Sequence, residues 1–250
     1  MTAVHANDPV LILIHGATLN HRMWDPVRRE LDPRWRVIAV DLPGHGARSQ
    51  ETYTLQGAID TVVQVVQREA PAGVVLAGDS LGGYTSLASA ASLPQDRLRG
   101  LVVSGASANL QGRTLVPFLA RSALFRVMFT WMGEDRLVRD KVPGLLRKFG
   151  IDEADVQAIA QAGVRLRGFV EAVAALRGVD FRSKLAAVAQ PVLLINGTQD
   201  HGMVAQEASF LAVAQHGKAQ RLDCAHGASL LKSSEFAHAL NAFLHEVAHP

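Results

Sequence analysis

The chain of 250 residues reads as an α/β fold, a doubly wound and mostly parallel sheet, and three observations predict it. Apolar runs of strand length alternate with stretches that carry apolar residues at helical spacing. The runs are continuous rather than alternating, as in Val10-Leu11-Ile12-Leu13-Ile14, which marks strands buried on both faces. Each cluster of chemically capable residues falls directly after one of these runs, where a parallel sheet places its ligand-binding loops. A composition of 48% apolar and 19% charged residues suits one large buried core.

In chain order, the first strand, Val10–Ile14, runs into the tight turn His15-Gly16-Ala17. A second, Trp35–Val40, is followed by Asp41-Leu42-Pro43-Gly44-His45-Gly46-Ala47-Arg48-Ser49. Thr54–Ala70 reads as a helix, with Leu55, Ile59, Val62, Val63 and Val66 on one side. Val74–Ala77 is the third strand and leads through Gly78-Asp79-Ser80-Leu81-Gly82-Gly83 into a helix over Ser80–Ser92. Further strands are expected at Leu98–Ser104, Pro191–Asn196 and Lys218–Leu222. Helices are expected at Val204–Gln215 and at Ser234–Ala248, where Phe236, Leu240, Phe243 and Leu244 share a face. Little chain precedes Val10, so any antiparallel strands before it are expected to be absent or reduced.

One segment breaks the alternation. From Ser107 to Leu185 helical patterns occur without a strand signal, which predicts a core of residues 1–106 and 186–250 with a helical cap, 107–185, inserted between two core strands. The apolar stretch Thr114–Met132 has two readings: a helix buried between cap and core, or the wall of an acyl pocket formed with Phe118, Phe125 and Trp131. The cap carries thirteen Lys/Arg against eight Asp/Glu, a surplus of five in a chain of net charge +2. This is either a solvated helical surface or a field that steers an anionic substrate.

Gly78-Asp79-Ser80-Leu81-Gly82 is a G-x-S-x-G frame in the strand–turn–helix setting that gives the motif its meaning. A sharp turn there strains the serine backbone and needs small flanking residues, while the helix behind favours negative charge. Asp79 as the reacting group would require Leu81 as a flank, and Leu81 is too bulky. Gly-Asp-Ser-Leu also matches the GDSL-type hydrolases, which pair it with a D-x-x-H block, here Asp223-Cys224-Ala225-His226. The Gly-Asp-Ser-Leu block, however, belongs after the first strand of their fold, and here it falls about a third of the way along the chain.

His-Gly after the first strand, Asp-Leu-Pro-Gly-His-Gly-x-x-Ser after the second and the serine frame after the third resemble the α/β-hydrolase superfamily, in its cap-bearing esterase and lactonase branch. The resemblance covers essentially the whole chain. It implies Ser80 as nucleophile, His226 as base after the last strand, and Asp200, after Val192–Gly197, as the acid that orients the imidazole. No proline follows Asp200, a departure from the usual pattern. Asp223 is the rival acid under the GDSL reading. The backbone amides of Ala17 and Leu81 would form an oxyanion hole, and His15 and His45 would shape the pocket. His201 is read as a solvent-facing loop residue, and residues 238, 245 and 249 as surface groups.

The expected activity is hydrolysis of carboxylic esters of small or medium acyl substrates through an acyl-enzyme. Lactone, thioester or carbon–carbon hydrolysis on the same triad is the alternative, as is a ligand sensor on the same fold. No metal ligand set or nucleotide-binding glycine loop is present, so no cofactor is expected. The small net charge argues against nucleic acid. The partner expected is a small-molecule acyl substrate, and oligomeric state is left open. Residues 1–9 lack a signal-peptide pattern, and Arg121 and Arg126 interrupt the longest apolar run, so no stable membrane insertion and a cytoplasmic setting are expected. The single cysteine, Cys224, excludes an internal disulfide.

Overall fold

The computed structural model describes residues 9–248. Among them, six strands form one wholly parallel sheet: β1 (Val10–Ile14), β2 (Val37–Val40), β3 (Val74–Asp79), β4 (Leu98–Ser104), β5 (Pro191–Gly197) and β6 (His216–Leu222). Their spatial order is β2-β1-β3-β4-β5-β6. The helices are α1 (Asp25–Glu30), α2 (Leu55–Glu69), α3 (Leu81–Ala90), α4 (Val116–Met132), α5 (Glu134–Lys148), α6 (Glu153–Ala162), α7 (Arg167–Leu176), α8 (Phe181–Ala186), α9 (His201–Leu211), α10 (Ala228–Leu231) and α11 (Ser233–Ala248). The expected strands and helices are all present, with ends that coincide or differ by at most four residues. Trp35 lies just before β2 rather than in it. Met1 to Asp8, and His249 with Pro250, lie outside the described residues.

Successive side chains of a strand point to opposite faces, and both faces here are covered. Ile12, Ile14, Leu76, Leu101, Val103 and Leu194 meet Val62, Val66, Leu87, Phe181 and Leu185 from α2, α3 and α8. Leu11, Leu13, Val75, Ala77, Val102 and Leu193 meet Trp24, Val27, Phe236, Leu240 and Phe243 from α1, its preceding turn and α11. This two-sided burial explains why the strands read as unbroken apolar runs. At the far edge β6 is solvent-exposed along most of its length, and Lys218 and Arg221 discourage pairing with a further strand.

The chain leaves β1 toward β2 on one side and returns to β3 on the other. The loops after β1 and β3 therefore diverge and open a crevice at the strands' C-terminal ends. Over it stand α4 to α7, tied to the core by polar contacts. Arg29 makes a paired hydrogen bond with Asp155 at 2.9 and 2.6 Å. Asn20 donates to the carbonyls of Ile159 and Gly163, both at 2.9 Å. Arg165 donates to the Gly44 and Glu51 carbonyls and pairs with Glu171, whose other oxygen accepts from the Tyr53 amide.

Helix α4 corrects one expectation. Rather than being buried between cap and core, it has a single buried residue, Ser122. Val116, Leu124, Val127 and Trp131 are all more than half exposed, and Trp131 reaches 84%. The helix has apolar residues all round but packs on one side only, mainly against α5 and α7. By length and composition alone Gly112–Met132 would pass as a membrane-crossing helix.

Candidate active site

The turn after β3 is the most constrained point of the backbone. Ser80 has φ +54° and ψ −112°, one of two non-glycine residues with positive φ among the described residues. A β-carbon on Gly82 would lie 1.9 Å from the Ile14 carbonyl oxygen, and one on Gly78 would lie 2.1 Å from the Gly82 carbonyl oxygen. Both obstacles are backbone, so the two positions accept only glycine. The turn thereby wedges α3 between β1 and β3 and lifts Ser80 to the mouth of the crevice. The Ser80 amide is held by the Ser104 carbonyl at 2.7 Å.

Opposite stands His226, in the loop after β6. Its Nε2 lies 2.8 Å from Ser80 Oγ, and its Nδ1 lies 2.5 Å from Asp200 Oδ2. Asp200 follows β5 and precedes α9. A hydroxyl, an imidazole and a carboxylate joined in this way can pass the hydroxyl proton to Nε2 while the carboxylate stabilises the imidazolium. Desolvation opposes a charged ring at His226, but the hydrogen bond and charge of Asp200, with the charge of Asp79, outweigh it. The balance holds His226 above its ordinary value. The loop after Asp200 needs no proline, because Met203 and Val204 amides close directly onto the Asp200 carbonyl as α9 begins.

Asp223 accepts hydrogen bonds from Thr198 and Gln199 instead. His226 is held by Asp200. His201 is exposed at the start of α9 and His238 and His245 are exposed on α11, while His249 lies outside the described residues. Asp79, beneath Ser80, is buried and accepts from Ser104 Oγ at 2.5 Å; burial pushes its carboxyl above the usual range.

Leu81 follows Ser80 as the first residue of α3, and Ala17, in the turn after β1, lines the same crevice as Ser80. The first amides of a helix have no partner within it, so the Leu81 N–H is available to a bound oxyanion. The Gly16 amide is turned to Met23 Sδ at 3.3 Å, a contact that no sequence pattern signals.

The crevice opens into a mostly apolar cavity of about 700 Å³ that reaches Ser80, Asp200 and His226. Phe118 and Phe125 line it, joined by Phe169, Phe149, Leu146 and Leu230. Two expected pocket residues do not. Trp131 points outward, because its place on α4 is on the side away from Phe118 and Phe125. His15 is buried beneath the turn it was expected to line: Nδ1 donates to the Gly16 carbonyl at 2.8 Å and Nε2 accepts from the Leu42 amide at 3.0 Å. It thus braces the Gly16–Ala17 turn against the loop after β2. His45 lies beside it with ring centroids 5.0 Å apart and the rings tilted by 52°, and its Nδ1 donates to the Pro43 carbonyl. Among the described residues, no cluster of His, Cys, Asp or Glu could hold a metal ion.

Comparison with known proteins agrees with this architecture. The model of the alpha/beta hydrolase family matches residues 11–240. A pimeloyl-[acyl-carrier protein] methyl ester esterase of Xanthomonas campestris is 31% identical over 96% of this chain and 97% of its own. In fold the chain resembles a carboxylesterase of Nitrososphaera gargenis (TM-score 0.79, 21% identity, 97% and 92% of the two chains). It also resembles an enol-lactonase of Burkholderia xenovorans (TM-score 0.76, 22% identity, 96% and 93%). Sheet order, strained serine turn and matched sequence together make this chain a member of the alpha/beta hydrolase family.

Proposed function

We propose that the chain is a serine esterase that cleaves carboxylic esters of small or medium acyl groups through an acyl-enzyme. The observation that carries this reading is the hydrogen-bonded line Ser80–His226–Asp200 opening onto a mostly apolar cavity. His226 Nε2 takes the proton of Ser80 Oγ as the oxygen bonds to the ester carbonyl carbon. The carbonyl oxygen, now negative, rests on the Ala17 and Leu81 amides, each such donor being worth about 100- to 1,000-fold in turnover. The tetrahedral centre collapses, the carbon–oxygen bond to the alcohol breaks, and His226 returns its proton to the leaving oxygen. Water then repeats the cycle on the acyl-Ser80 ester, releasing the acid and restoring the hydroxyl. Residues 107–185 act as the cap that selects substrate over the core of 1–106 and 186–250. The substrate in the name of the Xanthomonas relative, a methyl ester of a carrier-bound acyl chain, makes such an ester the first physiological candidate here.

A series of p-nitrophenyl esters of increasing acyl length tests the reading. Wild type is expected to turn over, with a length optimum set by the cavity. Ser80→Ala should lose on the order of a million-fold in kcat, and Asp200→Asn about ten-thousand-fold. Asp223→Asn should stay near wild type. A damaging Asp223→Asn with a mild Asp200→Asn would reassign the acid, and a wild type inert toward every ester would end the esterase reading in favour of a sensor or a carbon–carbon hydrolase.

A further inference from the structure

Five titratable side chains line the cavity. Asp79, Asp200 and His226 belong to the end that holds Ser80; the other two are Arg113, in the turn before α4, and Arg121, on α4 itself. Phe118, Arg121 and Phe125 follow at the three- and four-residue spacing that puts them on one face of α4, the face that looks into the cavity. Elsewhere in residues 107–185, five arginines pair with carboxylates: Arg136 and Arg139 with Asp140, Arg147 with Glu153, Arg165 with Glu171 and Arg167 with Glu134. No carboxylate pairs with Arg113 or Arg121 among the described residues. Arg121 instead lies over the ring of Phe169, its guanidinium carbon 5.8 Å from the centroid, and Phe169 is itself part of the wall. An aromatic stack of this kind orients a guanidinium without neutralising it.

From this placement we infer that Arg121 and Arg113 form an anion-binding subsite within the acyl cavity, so that the ester cleaved at Ser80 carries a second, negatively charged group of its own, a carboxylate or a phosphate. The inference deepens the esterase reading and rests on it. Arg113 and Arg121 are both exposed, and a purely aliphatic ester seated against them would displace part of their water at a cost and offer no counter-charge. A substrate anion converts that cost into charge-assisted, bidentate hydrogen bonds. The charge of Arg121 also reaches the other end of the cavity, where it opposes protonation of His226.

The test compares two methyl esters of equal length: monomethyl adipate, which ends in a carboxylate, and methyl hexanoate, which ends in a methyl group. Wild type is expected to favour the charged ester by about 10- to 100-fold in kcat/KM, mostly through KM, the usual worth of a charge-assisted hydrogen bond. Arg121→Gln should bring the ratio of the two esters close to one. Arg113→Gln should lower it in part, and Arg121→Lys should keep part of it. Raising salt to about 1 M should shrink the ratio. Arg177→Gln, an exposed cap arginine away from the cavity, should leave it as in wild type. Inhibition by hexyl phosphate compared with adipate then tells whether phosphate or carboxylate is preferred. A wild-type ratio near one, or a ratio that neither arginine variant changes, would overturn the inference. Should wild type hydrolyse neither ester, the esterase reading fails separately. Calorimetric titration with adipate still decides the subsite: saturable binding lost in Arg121→Gln supports it, and no binding ends it.

Discussion

Strand β3 and helix α4 are both read from the sequence as apolar runs, yet one is wholly buried and the other mostly open to solvent. The difference follows from where each finds its backbone partners. A strand needs neighbours for every N–H and C=O, so an apolar strand run implies a sheet around it, and a sheet buried on both faces leaves no solvent-facing side. A helix satisfies its own backbone and can stand at the edge of the molecule with whichever face its packing leaves uncovered. Among the described residues nothing is layered over the outer side of α4, so the same apolar signal carries opposite meanings in the sheet and in this helix.

The sharpest way to break the contrast is at the turn that joins β3 to α3. In Gly82→Ala the new β-carbon would meet the Ile14 carbonyl oxygen at 1.9 Å, and the sheet cannot yield there. A loss of at least about 3 kcal/mol in stability is expected, together with loss of ester turnover, because α3 must move and Ser80 with it. Urea unfolding and esterase rate measured on the same preparation check it. A stable, active variant would show that the wedge between β1 and β3 does not govern the position of Ser80.

A second large effect belongs to the buried histidines behind the turn. Burial, with the charge of His15 beside it, pushes His45 down to about 3, and burial likewise holds His15 below 6.5. In the unfolded chain both rings take up protons near pH 6.5. Between pH 6.5 and about 3 the unfolded state thus binds more protons than the folded one. The stability these rings allow is whole above pH 6.5 and is lost as pH falls toward 3. The urea midpoint should drop steadily from pH 7 to pH 5, and His45→Asn should flatten that slope. An unchanged midpoint over this range would mean that the two rings stay accessible to protons in the folded protein.

What the sequence disclosed divides along the same line. The serine turn and the parallel sheet were legible because backbone geometry demands particular residues at particular places, while Asp200 and His226 were reached through the family resemblance. The glycines at 78 and 82 and the strand-end setting of each motif are such demands. The bracing role of His15, the contact of Met23 with the Gly16 amide and the direction of Trp131 were not legible. Each depends on which side chain meets which across segments far apart in the chain, and periodicity carries no record of that. Apolarity in α4 was read as burial because its residues are apolar on every side, and only the packing shows which side is left open.

A moderate effect is expected where α4 to α7 meet the loops of the sheet. Arg165 and Glu171 side chains are 20% and 15% exposed and link α7 to the loop after β2. Arg165→Ala should cost about 2 kcal/mol, since it leaves the Glu171 charge and two carbonyls without their shared donor. It should also raise KM more than it lowers kcat, because the cap loosens while the line from Ser80 to Asp200 stays intact. An equal fall in kcat and kcat/KM would mean that Arg165 acts on the reacting groups and not through the cap.

The smallest effect, and the finest test of the contrast within α4 itself, compares its two faces. Trp131→Ala removes a large aromatic side chain that is 84% exposed, so stability should change by less than about 0.5 kcal/mol and the acyl-length profile should stay as it is. Phe125→Ala removes a ring that lines the cavity and packs against Phe129 and Phe169, with centroids 5.9 and 5.6 Å away. It should cost about 1–2 kcal/mol, less than a fully buried phenylalanine, and shift the preferred p-nitrophenyl ester toward longer acyl chains as the wall recedes. Equal responses at the two positions would mean that α4 rotates or lifts in solution. A response at Trp131 larger than at Phe125 would mean that the outer face, rather than the inner one, meets the substrate, because only contact could make so exposed a ring matter.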